Sequence, residues 1–97
     1  RVAVLPVGYA DGLHRVLSNN MYFLVRGKRA RQVGQICMDM CMADVTDVPG
    51  CSPGDIATVF GRDGDDSISV EELACNAGTI NYEMVCAVSK RVPRVYV

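Results

Sequence analysis

A chain of 97 residues, 49% of them hydrophobic, has room for one domain and enough apolar surface to build its core, which excludes intrinsic disorder. Its 10 basic and 11 acidic residues are interspersed and leave a net charge of -1, with no basic stripe of the kind that neutralises phosphates, which argues against a nucleic-acid partner. No apolar run approaches the roughly 18 residues of a membrane-spanning helix, and no signal-peptide pattern precedes the first predicted strand.

Residues 2–7 form a run of apolar and β-branched side chains that reads as a strand, with Pro6 marking an edge or an exit. Because Arg1 already stands at the head of this run, the chain is expected to be a piece of a longer polypeptide. Two glycines and an aspartate make residues 8–15 a loop, and Ser18, Asn19 and Asn20 form a turn cluster. Residues 21–26 read as a strand, Gly27 and Lys28 as a tight hairpin connection, and residues 30–33 as its return. Gly34 marks a bulge or a bend at a barrel corner, after which residues 36–45 resume β character. A turn-rich loop at 49–54, a strand at 55–60, a charged loop at 61–66 and a short strand at 67–68 follow.

The last third changes period. Ser69 and Glu72 have the spacing of a capping box, so a short helix is predicted to start there and to stop at Gly78. Thr79 is the expected cap of a second helix over residues 80–89, where Ile80, Met84 and Ala87 or Val88 recur at helical spacing. Pro93 ends it, and residues 95–97 return as a strand. The elements amount to a mainly β, small barrel-like domain with two short helices near the C-terminus.

Five cysteines, no CxxC pair and the single His14 argue against a metal site, and Cys75 and Cys86 are expected to serve as small hydrophobes within the helices. Reduced cysteines fit a cytoplasmic setting. Asp63 to Asp66 resembles a calcium loop, but the twelfth position is Ala74 where the motif requires glutamate. Lys90, Arg91 and Arg94 read as a solvated helix end that complements the helix dipole.

Three segments carry side chains that folding alone does not require. GYADG at 8–12 presents Tyr9 between glycines, GQICMD at 34–39 places Asp39 in an apolar stretch, and TINYE at 79–83 sets Tyr82 at a helix start. Taken singly, each reads first as structural: a rim tyrosine, an exposed strand position and a capped helix with a half-buried tyrosine. No His, Ser and Asp arrangement occurs, and Lys28 and Lys90, the two lysines, both fall at turn or helix-end positions.

In order and spacing, GYADG, CMD, the SVEELA helix, TINYE and RVPRVY resemble the C-terminal domain of the alanine racemases, pyridoxal-phosphate enzymes that interconvert L- and D-alanine. The resemblance covers essentially the whole chain. It implies a domain over residues 1–97 that packs across the mouth of the partner subunit's barrel in a homodimer. The N-terminal (β/α)8 barrel, with its cofactor-bearing lysine, would lie outside this sequence. By the same resemblance Tyr9 lines the substrate entrance, Met38 and Asp39 approach the substrate carboxylate, and Tyr82 bonds the cofactor phosphate, with Ile80 and Gln35 at the entrance. The family's second base, a tyrosine, precedes the GYADG strand and is also outside this chain, so the fragment alone is expected to be inactive. The family role is D-alanine supply for cell-wall precursors.

Gln35 stands where the family commonly has arginine, Met40 where it has glutamine, and Leu13 and His14 where an aromatic and a proline are usual. The lost positive charge at position 35 leaves a serine or broader amino-acid racemase open as an alternative. A β-barrel binding module without enzymatic role is a further one.

Overall fold

The computed structural model describes residues 1–96. Strands β1 (Val2–Leu5), β2 (Tyr22–Val25), β3 (Lys28–Val33), β4 (Cys41–Asp44) and β5 (Ala57–Thr58) form one antiparallel sheet in the order β1-β4-β3-β2-β5. Strands β6 (Gly61–Asp63) and β7 (Asp66–Ile68) form a separate hairpin, and helices α1 (Val70–Ala77) and α2 (Asn81–Cys86) follow. The expected mainly β fold with two short helices is therefore present. The main sheet is a half-barrel whose edges, β1 and β5, both line an open groove of about 700 Å³.

Strand alternation decides which face is wet. In β4, Cys41 and Ala43 are buried while Met42 and Asp44 are exposed, and the register sets Cys41 against Leu5 and Ala43 against Ala3. That inner face, with Phe23, Val25 and Ala30, packs with Leu13, Leu17, Met21 and Ile36 and with Leu73, Ala74 and Met84 from the helices. Burying Phe23 or Leu17 completely contributes about 1.5–3 kcal/mol each. On the outer face Leu24 and Ile68 are buried apart from this cluster, where β7 lies against β2. Val2, Val4 and Met42 remain exposed at the other end of that face.

Helix α1 begins and ends as its sequence predicts. The Ser69 hydroxyl accepts from the Glu72 N–H at 3.0 Å, and Gly78 closes the helix with a left-handed φ of +74°. The Glu72 carboxylate does not turn back to the cap; it takes both Arg29 nitrogens at 2.7 and 3.1 Å, tying α1 to β3.

Several expectations need correction. The charged segment 61–66 is not a loop but most of the β6–β7 hairpin, because Gly64 at φ +64° allows the turn and the flanking charges face solvent. The first hairpin turns at Arg26 and Gly27, both at positive φ, one residue earlier than predicted. Residues 36–40 are not strand, since the Cys37 N–H closes a turn on the Met40 carbonyl at 2.9 Å and only Cys41–Asp44 pairs. Helix α2 stops at Cys86 instead of residue 89, and Ile80 stands at its N-cap while the Thr79 hydroxyl binds the Glu83 carboxylate. Val95 and Tyr96 lie outside any strand, and Val97 lies outside the described residues. Cys75 and Cys86 are exposed, not core; Cys41 and Cys51 are the buried cysteines.

Arg29, through its hydrogen bond and then its charge, holds the Glu72 carboxyl below its ordinary 4.5. A depressed folded value means the contribution is complete above 4.5 and fades as the pH falls through the folded value. With both side chains about a third exposed, solvent screening keeps it small. Glu72→Gln should therefore lose under about 1 kcal/mol at neutral pH. Urea unfolding repeated at successively lower pH should show the gap from wild type narrowing once the pH falls below 4.5.

Candidate functional site

The loop after β1 is the junction of the site. Tyr9–Asp11 makes one 3-10 turn, and the N–H groups of Tyr9 and Ala10 donate to the carbonyls of Cys37 and Met38 at 3.0 and 2.9 Å. GYADG and CMD, separated by more than twenty residues of sequence, are thus joined main chain to main chain. Gly8 is what allows it. Its φ of -154° is open to any residue, but a Cβ there would stand 2.1 Å from the Cys37 carbonyl oxygen and 2.6 Å from the Met38 carbonyl carbon.

Asp11 and Gly12 connect the same loop to the end of the chain. Asp11 Oδ2 accepts from the Gly8 N–H at 3.0 Å, Oδ1 lies 3.4 Å from Arg91 Nε, and the Asp11 carbonyl accepts from the Ser89 N–H at 3.1 Å. Gly12, at φ +114°, leaves no room for a Cβ, which would meet the Ala87 carbonyl oxygen at 2.5 Å. Arg94 donates to the carbonyls of Val88, Ser89 and Val92, so it does cap the chain after α2. Arg91, expected to be merely solvated there, is instead paired with Asp11. Sequence reasoning missed Asp11 as the residue that organises the loop; the signal was a carboxylate three residues after a glycine whose N–H it could accept.

Tyr9 and Met38 stand on the two segments that this seat joins, 44% and 56% exposed. Gln35 and Asp39 are exposed on the same loop. Among the described residues, the Met38 and Asp39 N–H groups donate to no protein acceptor, leaving two donors at an exposed turn. Ile80 and Tyr82 stand at the other end of α2 from its contact with Gly12, about 9 Å of helix axis away. Tyr82 is 73% exposed and its phenol has no partner within the described residues. The structure thus brings Tyr9, Gln35, Met38 and Asp39 together and sets Ile80 and Tyr82 apart as a second group. Behind the loop lies an apolar pocket of about 270 Å³ walled by Val7, Leu13, Phe60, Met84 and Val88.

Burial, and after it the neighbouring Cys37 thiol, pushes Cys41 up to about 11, so it stays a protonated core residue at neutral pH. Among the described residues no group of three or more His, Cys, Asp or Glu is placed to hold a metal ion, and no helix is long and apolar enough to cross a membrane.

The family model for the alanine racemase C-terminal domain matches residues 1–96. The chain belongs to this family. The alanine racemase of Methanococcus maripaludis is 54% identical over 96 residues, covering 99% of this chain and 26% of that protein. That of Geobacter sulfurreducens is 55% identical over 96 residues, covering 98% of this chain and 25% of that protein. The chain therefore spans about a quarter of the length of the curated relatives it matches. Among solved structures, the biosynthetic alanine racemase of Pseudomonas aeruginosa superposes with a TM-score of 0.89 at 37% identity, over 100% of this chain and 26% of that one. The alanine racemase of Bacillus anthracis with bound L-Ala-P also gives a TM-score of 0.89, at 42% identity over 99% of this chain and 24% of that one. These likenesses confirm the family expected from the ordered motifs of this alanine racemase C-terminal domain.

Gly8→Ala should destabilise the domain by about 2 kcal/mol or more, because the new Cβ collides with main chain that cannot rotate away. Urea unfolding measures the loss, and hydrogen exchange should show the Tyr9 and Ala10 amides losing protection.

Proposed function

We propose that this chain is the C-terminal domain of a pyridoxal-phosphate-dependent alanine racemase, and that it forms the entrance and the carboxylate side of the active site. The observation that carries the reading is the main-chain docking of GYADG on CMD, which joins the segments bearing the exposed Tyr9 and Met38 beside two N–H groups without a protein acceptor among the described residues. Side chains held this firmly but left uncovered are placed for something outside the chain.

In this reading the Met38 and Asp39 N–H groups orient the substrate carboxylate, while Tyr9, Gln35 and Ile80 narrow the way in. Tyr82 fits the cofactor in its chemistry, since an exposed phenol without a protein partner is free to donate to a phosphate oxygen. When bound, pyridoxal phosphate supplies the electron sink that lets the α-proton leave. Inversion at that carbon needs a proton-transferring group on each face; in this proposal the barrel's lysine is one and a tyrosine from the segment preceding the GYADG strand is the other, both outside this chain. The partners are that barrel and the second subunit of a homodimer. The cytoplasm is the proposed location, and D-alanine for cell-wall precursors the proposed product.

The decisive experiment compares the 97-residue chain with the full-length enzyme that carries it, using L-alanine and following D-alanine by chiral chromatography. The full-length enzyme should racemise alanine and the separate chain should not; racemisation by the chain alone would refute the division of labour. Tyr82→Phe in the full-length enzyme should weaken cofactor binding by about three- to tenfold, read from the cofactor absorbance after dialysis. Serine, measured alongside, tests whether an uncharged Gln35 broadens the substrate range.

A further inference from the structure

The segment 34–39, which carries Gln35, Met38 and Asp39, is held at both ends. Tyr9 and Ala10 hold its far end through the Cys37 and Met38 carbonyls. Its near end leaves β3 at Gly34, and there a different set of side chains takes over. The Gly34 N–H donates to Asn19 Oδ1 at 2.7 Å, and the Ile36 N–H donates to Ser18 Oγ at 2.9 Å. Two adjacent turn residues thus accept from alternate amides of the outgoing chain.

Asn19 is itself held. It sits at φ +58°, its N–H donates to Gln32 Oε1 at 2.7 Å, and Arg31 donates to its carbonyl at 2.9 Å. Gln32 is fully buried, the one buried polar side chain among the described residues. Its amide nitrogen donates to the Val33 and Gly34 carbonyls at 3.0 and 3.1 Å, so every polar atom of the side chain is used at this corner. The Gln32 side chain thus serves three main-chain groups, the Asn19 N–H and the Val33 and Gly34 carbonyls, which Leu or Met would leave unpaired. What it holds is the corner and not the sheet: the Gln32 main chain already bonds Met21, and these side-chain bonds fall at and beyond the end of the β3 ladder.

We propose that Ser18, Asn19 and Gln32 are positioning residues of the racemase entrance, setting where the 34–39 segment offers its Met38 and Asp39 donors to the substrate carboxylate. The proposal rests on the function proposed above. Fixing the near end matters because a misplacement of about 1 Å at a substrate-orienting group can cost a large part of its effect.

The test uses the full-length enzyme and steady-state kinetics with alanine. Asn19→Gly keeps the left-handed conformation and removes the Oδ1 acceptor, while Asn19→Asp keeps an acceptor. Asn19→Gly and Gln32→Met should raise KM by about five- to twentyfold, with kcat and cofactor absorbance within about twofold of wild type. Asn19→Asp should return KM to within about twofold of wild type. Ser18→Ala, which removes one acceptor without touching the core, should move KM in the same direction by less, and stands in should Gln32→Met fail to fold. Unchanged KM in the folded, cofactor-loaded variants overturns the proposal. So does a fall in kcat at constant KM, or an Asn19→Asp enzyme as impaired as Asn19→Gly. Insertion of a glycine between Met38 and Asp39, measured in parallel, separates the two levels. If it too leaves KM unchanged, the reading of the site itself fails; if it raises KM while the corner variants do not, only the positioning role falls.

Discussion

The candidate site depends on one close approach, that of Gly8 to the carbonyls of Cys37 and Met38. Two N–H groups meet two carbonyls there, and no side chain of the proposed entrance takes part in the contact. From this seat Asp11 reaches back to Gly8 and outward to Arg91, and Gly12 makes room for the end of α2. The first, middle and last motifs of the sequence are thereby one connected unit.

The half-barrel supports that unit from behind. Its inner face is closed by α1, α2 and the segment from Leu13 to Met21, so the loop after β1 rests on packed side chains. The outer face is closed only where Ile68 and Leu24 are buried, and Val2, Val4 and Met42 stay uncovered. Arg29 joins β3 to α1 through a solvent-screened pair and also lies 5.8 Å from the centre of the Tyr22 ring on the neighbouring strand β2. Rigidity is therefore distributed around the site, while the residues proposed to touch substrate stand free.

Much of this was legible in the sequence, for identifiable reasons. Continuous apolar runs announced β1 and β2, and Ser69, Glu72 and Gly78 announced both ends of α1. The β6–β7 hairpin was hidden because Asp63, Asp65 and Asp66 carry the composition of a loop, and only the pairing across Gly64 reveals strands. Cys75 and Cys86 misled because small apolar residues on a short helix do not say which face is buried. Candidate site residues could be proposed from the ordered motifs, yet the main-chain contacts between those motifs could not. Nothing in the spacing of Tyr9 and Met38 announces two hydrogen bonds between main chains, since main-chain contacts leave no mark except the glycine that permits them.

That last property bears on how such a domain can change. Because the seat is built from peptide groups, the identities of Tyr9, Gln35, Met38 and Asp39 are decoupled from the geometry that displays them. Positions 8, 11 and 12 carry the geometry and tolerate little, while positions 9, 35 and 38–40 form a variable palette on a constant frame. Gln35 and Met40 already sample that palette. A library randomised at the second set would explore new entrances on an intact fold, and one randomised at the first would mostly return chains without an entrance at all.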